Sequence, residues 1–295
     1  MKRELTQVPM GKIKHFIEDN FDNINFTKSA IDFFENNFLG DISQIGDLLH
    51  LKDGVPSEVK KWLKDEFDIS LDLNGDYAIA TVIALALEFK KKAVFVEIQD
   101  VNSENIAAGI HKGVDIYRMK DKNENHDLIK LNIKNEGFEV YVSEKEIPVK
   151  LLDHPMRFKH FKKNDVVHLT LPLVKYEEEN DITEYFKGSS MIKKSDLERY
   201  SISKALTYTK VDLGLDKVEV KQAAAVCMVV ASATRIDLTR NLTINDNFYF
   251  YVRANNRLLF ASKMNLEDFI RSEGLSLIKC KEKKVEDSIN PLGFF

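Results

Sequence analysis

The sequence predicts an α+β fold, with helices in the N-terminal part and a series of mostly antiparallel strands after them. Up to about Phe67 the apolar residues recur at helical spacing, whereas from Tyr77 onward short apolar runs alternate with charged turns. No internal repeat and no low-complexity linker separates the two parts. We therefore expect one interlocked domain over residues 1–295 rather than two domains.

Two helices are predicted ahead of the strands. In FTKSAIDFFENNF the apolar residues at helical spacing are Ile31, Phe33, Phe34 and Phe38. In VPSEVKKWLKDEF they are Val59, Trp62, Leu63 and Phe67. Pro56 stands near the start of this second helix, where its missing N–H is harmless. We interpret Trp62, the single tryptophan, as a core anchor rather than a platform for a ligand.

The predicted strands begin with AIATVIALALEF, residues 78–89, which is apolar on both faces, as expected of a central strand covered on both sides. Further strand-like runs are AVFVEI, VDIYRM, LIKLNI, FEVYV and VVHLTLPLVKYE. The turn KNEG and the pair Asn255–Asn256 each lie between two runs of this kind. They predict two hairpins, the second with a tight turn that needs positive φ.

Composition and charge limit the classes of function that the protein is expected to have. The formal net charge is −4, whereas proteins that bind nucleic acids or membrane surfaces are usually basic. The two cysteines, Cys227 and Cys280, give no disulfide framework and suit a reducing compartment. The N-terminus lacks the apolar core of a secretory signal, and the longest apolar runs fall short of the roughly 20 residues of a membrane span. We expect a soluble, intracellular protein.

The sequence shows no pattern for catalysis, metals or cofactors. It has no phosphate loop, dinucleotide fingerprint or nucleophile elbow, and His154 and His160 lack further ligands at usable spacing. Cys227 lies in an apolar run without a nearby base, which favours an inert buried thiol. The basic and aromatic stretch 154–165 is more typical of a solvated face than of a polyanion site. We predict that the protein is not an enzyme and needs no cofactor.

The stretch VEVKQAAAVCMVVASATRIDL, Val218–Leu238, stands apart from its charged surroundings. Small and apolar residues continue without a break from Ala223 to Ala233, and a lone arginine, Arg235, follows them. Taken alone, this composition is that of an ordinary buried strand. Whether this small and apolar composition serves a function depends on the segments that flank it.

Seven segments of the chain resemble, in the same order, motifs of the serpin family of serine protease inhibitors. They are EVKKWLKDEF, IALALEFKKKAVF, VDIYRM, LIKLNIKNEGFEVYV, VVHLTLPLVKYEEENDITEYF, SDLERYSIS and FYFYVRANNRLLFAS. Each is weak alone, but their common order from about Val59 to Met264 is fairly specific. The resemblance implies a serpin-like core over 59–264 with large mixed or antiparallel sheets and an exposed reactive-centre loop. A reduced helical region over 1–55 would precede this core, and an extra tail over 265–295 would follow it.

The resemblance places Val218–Leu238 at the reactive-centre loop, a bait that the target protease cleaves and that then inserts as a strand into the main sheet. The implied reactive bond is Arg235–Ile236. The implied hinge residues are Glu219, Lys221, Gln222, Ala223, Ala224 and Ala225. Arginine fits trypsin-like proteases, whose specificity pocket carries a buried carboxylate. The implied partner of a monomer is therefore a serine protease, host or endogenous, with a cysteine protease as the alternative; no nucleic acid or membrane is implied.

Some features of the serpin family are missing. Lys221 stands in place of the hinge glycine and Gln222 in place of a small hydroxyl residue. Leu85 and Leu213 replace a polar pair, and no Ser-Pro-x-Ser element occurs, so apolar packing is expected where the family has a polar network. Two functions stay open: a trapping inhibitor of a trypsin-like protease, and a non-inhibitory binding or decoy module that has lost loop insertion.

The ends of the chain also depart from the family. Fewer helices precede Trp62 than in serpins, and the chain continues beyond the last hairpin. In this continuation we expect a helix that covers core left bare by the shortened N-terminus; its apolar residues are Leu266, Phe269, Ile270 and Leu275. Shortened serpins in Asn/Lys-rich chains resemble those of poxviruses, which implies a viral protein that modulates its host.

Overall fold

The computed structural model describes residues 8–37, 48–121, 124–153, 161–221 and 241–272. Helices are few in this part of the chain, and three of the five precede the large sheets. They are α1 (Val8–Asn20), α2 (Lys28–Asn37), α3 (Pro56–Phe67), α4 (Val149–Asp153) and α5 (Thr183–Phe186). The predicted α+β class is confirmed.

Strands make up most of the described chain. In chain order they are β1 (Phe21–Asn25), β2 (His50–Gly54), β3 (Ala78–Val82), β4 (Ala84–Glu88), β5 (Val94–Gln99), β6 (Asn105–Asp121), β7 (Glu124–Leu131), β8 (Phe138–Ser143), β9 (Lys162–Pro172), β10 (Val174–Asp181), β11 (Ser190–Lys193), β12 (Arg199–Ser201), β13 (Leu206–Leu213), β14 (Lys217–Lys221), β15 (Asn241–Thr243), β16 (Phe248–Ala254) and β17 (Arg257–Met264).

Two sheets carry the core. The larger has eight strands in the order β15-β9-β6-β7-β8-β16-β17, with β5 added beside β6. The smaller has four strands in the order β10-β13-β14-β4. The largest apolar cluster contains buried residues of both sheets, among them Leu87 and Val220 from the smaller and Val140 and Phe250 from the larger. Burial of these apolar side chains between the sheets is the main stabilising contribution to the fold.

The predicted helix starting at Pro56 is confirmed, with Val59 and Leu63 buried on its inner face. Trp62 is half-buried against the same cluster, and its ring lies edge-on to Phe67 at 5.0 Å between centroids. It therefore packs in a core, as predicted. The helix ends at Asp68, which adopts left-handed φ and donates its backbone N–H to the Lys64 carbonyl.

The helix containing Phe33 and Phe34 is also confirmed, but its predicted stripe was wrong at one position. Phe33 and Phe34 are buried against Phe186, whereas Ile31 is 45% exposed. Ala30, one turn before Phe34, is the fully buried residue on that face, so the buried stripe runs through positions 30, 33 and 34. Phe38 lies outside the described residues.

Residues 78–89 do not form the single central strand that their apolar character predicts. The chain leaves strand geometry at Ile83, so β3 pairs with β2 and β4 pairs with β14. The physical reason is that the pairing partner changes: Val82 lies opposite His50, the first residue of β2, and from Ala84 onward the chain pairs with β14 instead. Ala86 is exposed, so β4 is not covered on both faces along its length.

Both predicted hairpins are confirmed. β7 pairs antiparallel with β8, and β16 pairs antiparallel with β17. Asn255 and Asn256 form the second turn with φ of 48° and 64°, the left-handed region that asparagine tolerates best among residues with side chains.

The helix expected in the C-terminal continuation was wrong for the residues that the structure describes. Leu266–Asp268 form one 3-10 turn, and extended backbone follows it. Ile270 donates its N–H to the Leu173 carbonyl and accepts a bond from the Ala107 N–H, so strand-like bonds replace helical ones. Phe269 is nevertheless buried and stacks on Phe248. Leu275 lies outside the described residues.

Candidate functional site

β14 occupies an interior position of the four-stranded sheet, between β13 and β4. It is antiparallel to both neighbours, with Val220 opposite Val211 on one side and Leu85 on the other. Consequently β4 and β13 run parallel to each other, and β14 supplies the hydrogen bonds that join them. Val218 and Val220 are completely buried in the core between the sheets.

A tight turn at Gly214–Asp216 reverses the chain from β13 into β14. Neighbouring backbone holds this turn in place: the Ala93 N–H donates to the Leu215 carbonyl at 2.7 Å, and the Phe89 N–H donates to the Asp216 carbonyl at 2.9 Å. The Leu215 side chain is buried next to Ala93. The start of β14 is therefore fixed by hydrogen bonds and by packing.

The expected apolar packing in place of a polar network is confirmed at two positions. Leu85 on β4 and Leu213 on β13 are both buried in the cluster that contains Val218 and Val220. Four apolar side chains thus meet on the inner face of the sheet around β14.

Beyond the end of β14 the sheet has a gap, bounded on one side by Ala78–Val82 of β3 and on the other by Leu206–Tyr208 of β13. This strand gap contains a cavity of about 200 Å³. Within the described residues β3 pairs only with β2, and residues 206–208 pair only with β10. Each wall therefore presents the second edge of a strand to the cavity, and such edges are templates for pairing with a further strand.

Helices cover the strand gap on both faces. On the outer face Val82 and Ala80 pack against Leu63 of α3. On the inner face Met10 and Ile13 of α1 line the cavity, and the hydroxyl of Thr81 donates to the Pro9 carbonyl at 2.7 Å. A segment that enters the strand gap would therefore be buried on both sides, which suits small apolar residues.

At the far end of the strand gap the cavity continues along Tyr77 and Tyr200. The segment before β3 approaches the segment before β13 there, since a Cβ on Gly75 would lie 3.5 Å from the hydroxyl oxygen of Ser203. Lys204 Nζ lies 2.9 Å from a carboxylate oxygen of Asp72, and the hydrogen bond from Lys204 lowers the pKa of Asp72. This ion pair links the chain before β3 to the chain before β13.

Aromatic rings line the cavity at this end. The ring of Tyr77 lies 5.5 Å from that of Tyr200, and Phe21 contacts both. Lys193 Nζ lies 3.9 Å from the centroid of the Tyr77 ring. Burial and a hydrogen bond to Asp53 raise the pKa of Tyr77, so its phenol stays protonated.

Two of the predicted hinge residues lie in β14. Glu219 is opposite Asp212 of β13 and Ala86 of β4, and Lys221 is opposite Lys210 and Ala84. The remaining predicted site residues lie outside the described part of the chain: Gln222, Ala223, Ala224, Ala225, Arg235 and Ile236. The reactive bond and the hinge therefore stay predictions, and β14 leads directly into the segment that contains most of them.

The turn at Gly214–Asp216 is the feature that the sequence interpretation missed. Its signal is nevertheless present, since GLD separates the alternating runs LTYTKVDL and KVEVK. A glycine and an aspartate between two alternating runs favour a hairpin. Resemblance to a loop at Glu219 obscured this local signal.

Metal and membrane sites were also sought in the described ranges. No group of three or more His, Cys, Asp or Glu side chains there is placed to hold a metal ion. No helix in those ranges is long and apolar enough to cross a membrane.

The chain is similar to solved serpin structures at low sequence identity. With cleaved Serpin 42Da the TM-score is 0.53 at 11% identity, covering 82% of this chain and 73% of that one. A second structure of cleaved Serpin 42Da gives a TM-score of 0.50 at 11% identity, with 82% and 72% covered. Serpin48, a highly specific serpin in the insect Tenebrio molitor, gives 0.48 at 14% identity, with 86% and 79% covered.

The two similarities to cleaved Serpin 42Da show the fold alone. The few helices and large mixed sheets match the serpin fold. No family model matches the sequence, and no curated protein matches it.

Proposed function

We propose that this serpin-fold chain belongs to the protease-inhibitor class and presents residues 222–240 as bait to a serine protease. One observation carries the proposal. The segment 222–240 begins at the end of β14, inside the four-stranded sheet, and ends at β15, the parallel edge strand of the eight-stranded sheet. It thus connects the two main sheets, and the motifs on both sides of it resemble those that flank the serpin reactive-centre loop.

The chemistry of the segment supports a trypsin-like target. Arg235 is preceded by small and apolar residues and is followed by Ile236. An arginine side chain can make a bidentate ion pair with the carboxylate at the base of a trypsin-like specificity pocket. We therefore propose Arg235–Ile236 as the bond attacked.

A second candidate function is favoured by the position of β14. In a trapping mechanism the bait enters the main sheet as a new strand after cleavage. Here β14 already pairs with both β13 and β4, so part of an interior strand position is occupied in the uncleaved chain. This supports a serpin-fold binding or decoy module that occupies a protease without trapping it.

The test is to incubate the protein with trypsin-like serine proteases and with caspase-like cysteine proteases, followed by denaturing gels and mass spectrometry. A complex that resists denaturation would establish a trapping inhibitor. Cleavage at Arg235 without such a complex, together with reversible inhibition, would establish the decoy. Arg235→Ala should abolish cleavage, whereas the matched Arg240→Ala should not. Absence of binding and cleavage by every protease tested would contradict both candidates.

A further inference from the structure

We infer that residues 269–271, the C-terminal strap, hold the start of β14 in the four-stranded sheet, and that release of the strap loosens β14 while both main sheets stay folded. The strap lies beyond β17, after the last hairpin of the chain. The inference concerns a conformational switch built into the fold, and it does not rest on the proposed function.

The strap joins the two main sheets through backbone hydrogen bonds. The Ile270 N–H donates to the Leu173 carbonyl at 3.0 Å, just before β10, and the Ala107 N–H of β6 donates to the Ile270 carbonyl at 2.8 Å. Single bridges place Phe269 beside β10 and Arg271 beside β6. The strap therefore lies between one strand of the smaller sheet and one strand of the larger sheet.

The side chain of Ile270 packs against the apolar cluster that holds the turn before β14. This cluster contains Leu215, the central residue of the turn Gly214–Asp216, together with Ala93. Leu215 is buried, and its carbonyl accepts the Ala93 N–H. Shortening the Ile270 side chain would remove apolar contacts from the cluster and so weaken the support of the turn.

Leu215 is also packed tightly against β6. A Cβ added to Gly109 of β6 would lie 3.0 Å from Leu215 Cδ2 and 2.9 Å from the Ala93 Cβ. Contacts this short require a neighbour to move, because a close-packed interior has no free space to absorb an added methyl group. A larger residue at position 109 would therefore displace the turn without altering any residue of the strap.

An ion pair fixes the last residue of the strap. Arg271 Nη1 lies 3.0 Å from an Asp100 carboxylate oxygen and 2.7 Å from one of Glu104. The Asp100 side chain is fully buried and also accepts the Glu104 N–H. Although burial opposes ionisation, the Glu104 N–H and Arg271 together lower the pKa of Asp100. Arg271 thus binds the strap to the turn between β5 and β6, and 40% of its side chain stays exposed.

The strap and β14 are therefore coupled through the Leu215 cluster. β14 has only five residues, and it begins directly after the turn that the cluster holds. Loosening the turn should loosen β14, whereas the β16–β17 hairpin keeps its own turn and pairing. The bound strap keeps β14 in the sheet, and release of the strap permits local opening of β14.

Hydrogen exchange on full-length variants tests this coupling. The readout is the exchange rate of the β14 amides relative to that of the β16–β17 amides. We expect Ile270→Ala to raise this ratio about tenfold. The matched control is Ile17→Ala, since Ile17 is equally an isoleucine but is buried in a cluster of α1 that does not contain Leu215. It should leave the ratio as in the unmodified protein.

Two further substitutions reach the same readout by separate routes. Arg271→Gln should raise the ratio because it removes the charge that pairs with Asp100, and Arg271→Lys, which keeps that charge, should restore a ratio near that of the unmodified protein. Gly109→Ala should raise the ratio with the strap intact, because it displaces Leu215.

An unchanged ratio in Ile270→Ala, or the same rise in Ile270→Ala and Ile17→Ala, would overturn the inference. Arg271→Gln keeps the test decisive if Ile270→Ala does not fold, because it alters only a partly exposed side chain. An unchanged ratio in that variant would equally contradict the role of the strap.

Discussion

The carboxamide oxygen of Asn135 accepts a hydrogen bond from the backbone N–H of Glu88 at 2.9 Å, on the edge of β4 that faces away from β14. The carboxamide nitrogen of the same residue donates to the Ala86 carbonyl at 3.3 Å. The Lys134 N–H adds a bond to the Glu88 carbonyl at 2.7 Å. One side chain and one turn thus take the place of a further strand beside β4, which protects an edge that would otherwise invite pairing with another chain.

Replacing Asn135 with alanine should therefore expose this edge. We expect Asn135→Ala to lower the free energy of unfolding by about 1–2 kcal/mol, because two backbone groups lose their partners, and to increase aggregation on storage. Urea unfolding and light scattering measure the two effects. The matched control is Glu136→Ala at the neighbouring exposed position, which should change neither. Equal behaviour of the two variants would show that Asn135 does not protect the edge.

A buried cation on β16, Arg253, should affect the free energy of unfolding more than Asn135 does. Arg253 is only 1% exposed, and its guanidinium lies 2.6 Å from the Glu139 carboxylate. Glu139 also pairs with Lys130 at 2.6 Å. Although burial opposes ionisation, Lys130 and Arg253 together lower the pKa of Glu139.

We expect Glu139→Gln to lower the free energy of unfolding by about 3 kcal/mol, because it leaves the Arg253 charge buried without its counter-charge. Lys130→Met should cost clearly less, since Glu139 keeps Arg253 as its partner and is itself a quarter exposed to water. Denaturant titration of both variants measures the difference. If the two substitutions lowered the free energy of unfolding by similar amounts, Arg253 would not be the cation that depends most on Glu139.

Acid sensitivity is predicted from His111. Its imidazole is buried against the ring of Phe89, and no described residue bonds its Nε2. Burial lowers the pKa of His111 from 6.5 to about 4. Because the unfolded chain binds this proton more readily, stability is complete above pH 6.5 and declines as the pH falls toward 4.

The loss amounts to about 3 kcal/mol over that interval. We expect His111→Leu to remove this part of the pH dependence, and the exposed His50→Gln to retain it. Urea midpoints between pH 7.5 and pH 4.5 are the measurement. An unchanged slope in His111→Leu would show that another group is responsible.

Local signals in the sequence predicted the elements well. Asn255–Asn256 between two alternating runs predicted a hairpin, and Pro56 followed by a periodic stripe predicted α3. These features depend on neighbours in sequence, so composition and spacing carry the information. The same reasoning failed at Ile83, because the division of residues 78–89 into two strands depends on which distant strand lies alongside.

The candidate site was harder to predict for the same reason. The sequence identified the residues after β14 as unusual, and resemblance gave them a role. The strand gap itself is built by β3 and β13, with α1 and α3 on its faces, and these elements are far apart in the chain. No local pattern in the sequence predicts that Gly75 and Ser203 lie close together at its far end.

The turn at Gly214–Asp216 also determines the order of events when the chain folds. β13 and β14 are neighbours in sequence, and hairpins of this kind form within microseconds, whereas pairing with the distant β4 needs a much slower chain closure. We therefore expect β14 to pair with β13 first, and to occupy the interior position before β4 completes the four-stranded sheet. We therefore predict that no long-lived open sheet forms as a kinetic trap and that the native state is the equilibrium state. Protein refolded from denaturant should return to the same melting temperature as protein never unfolded.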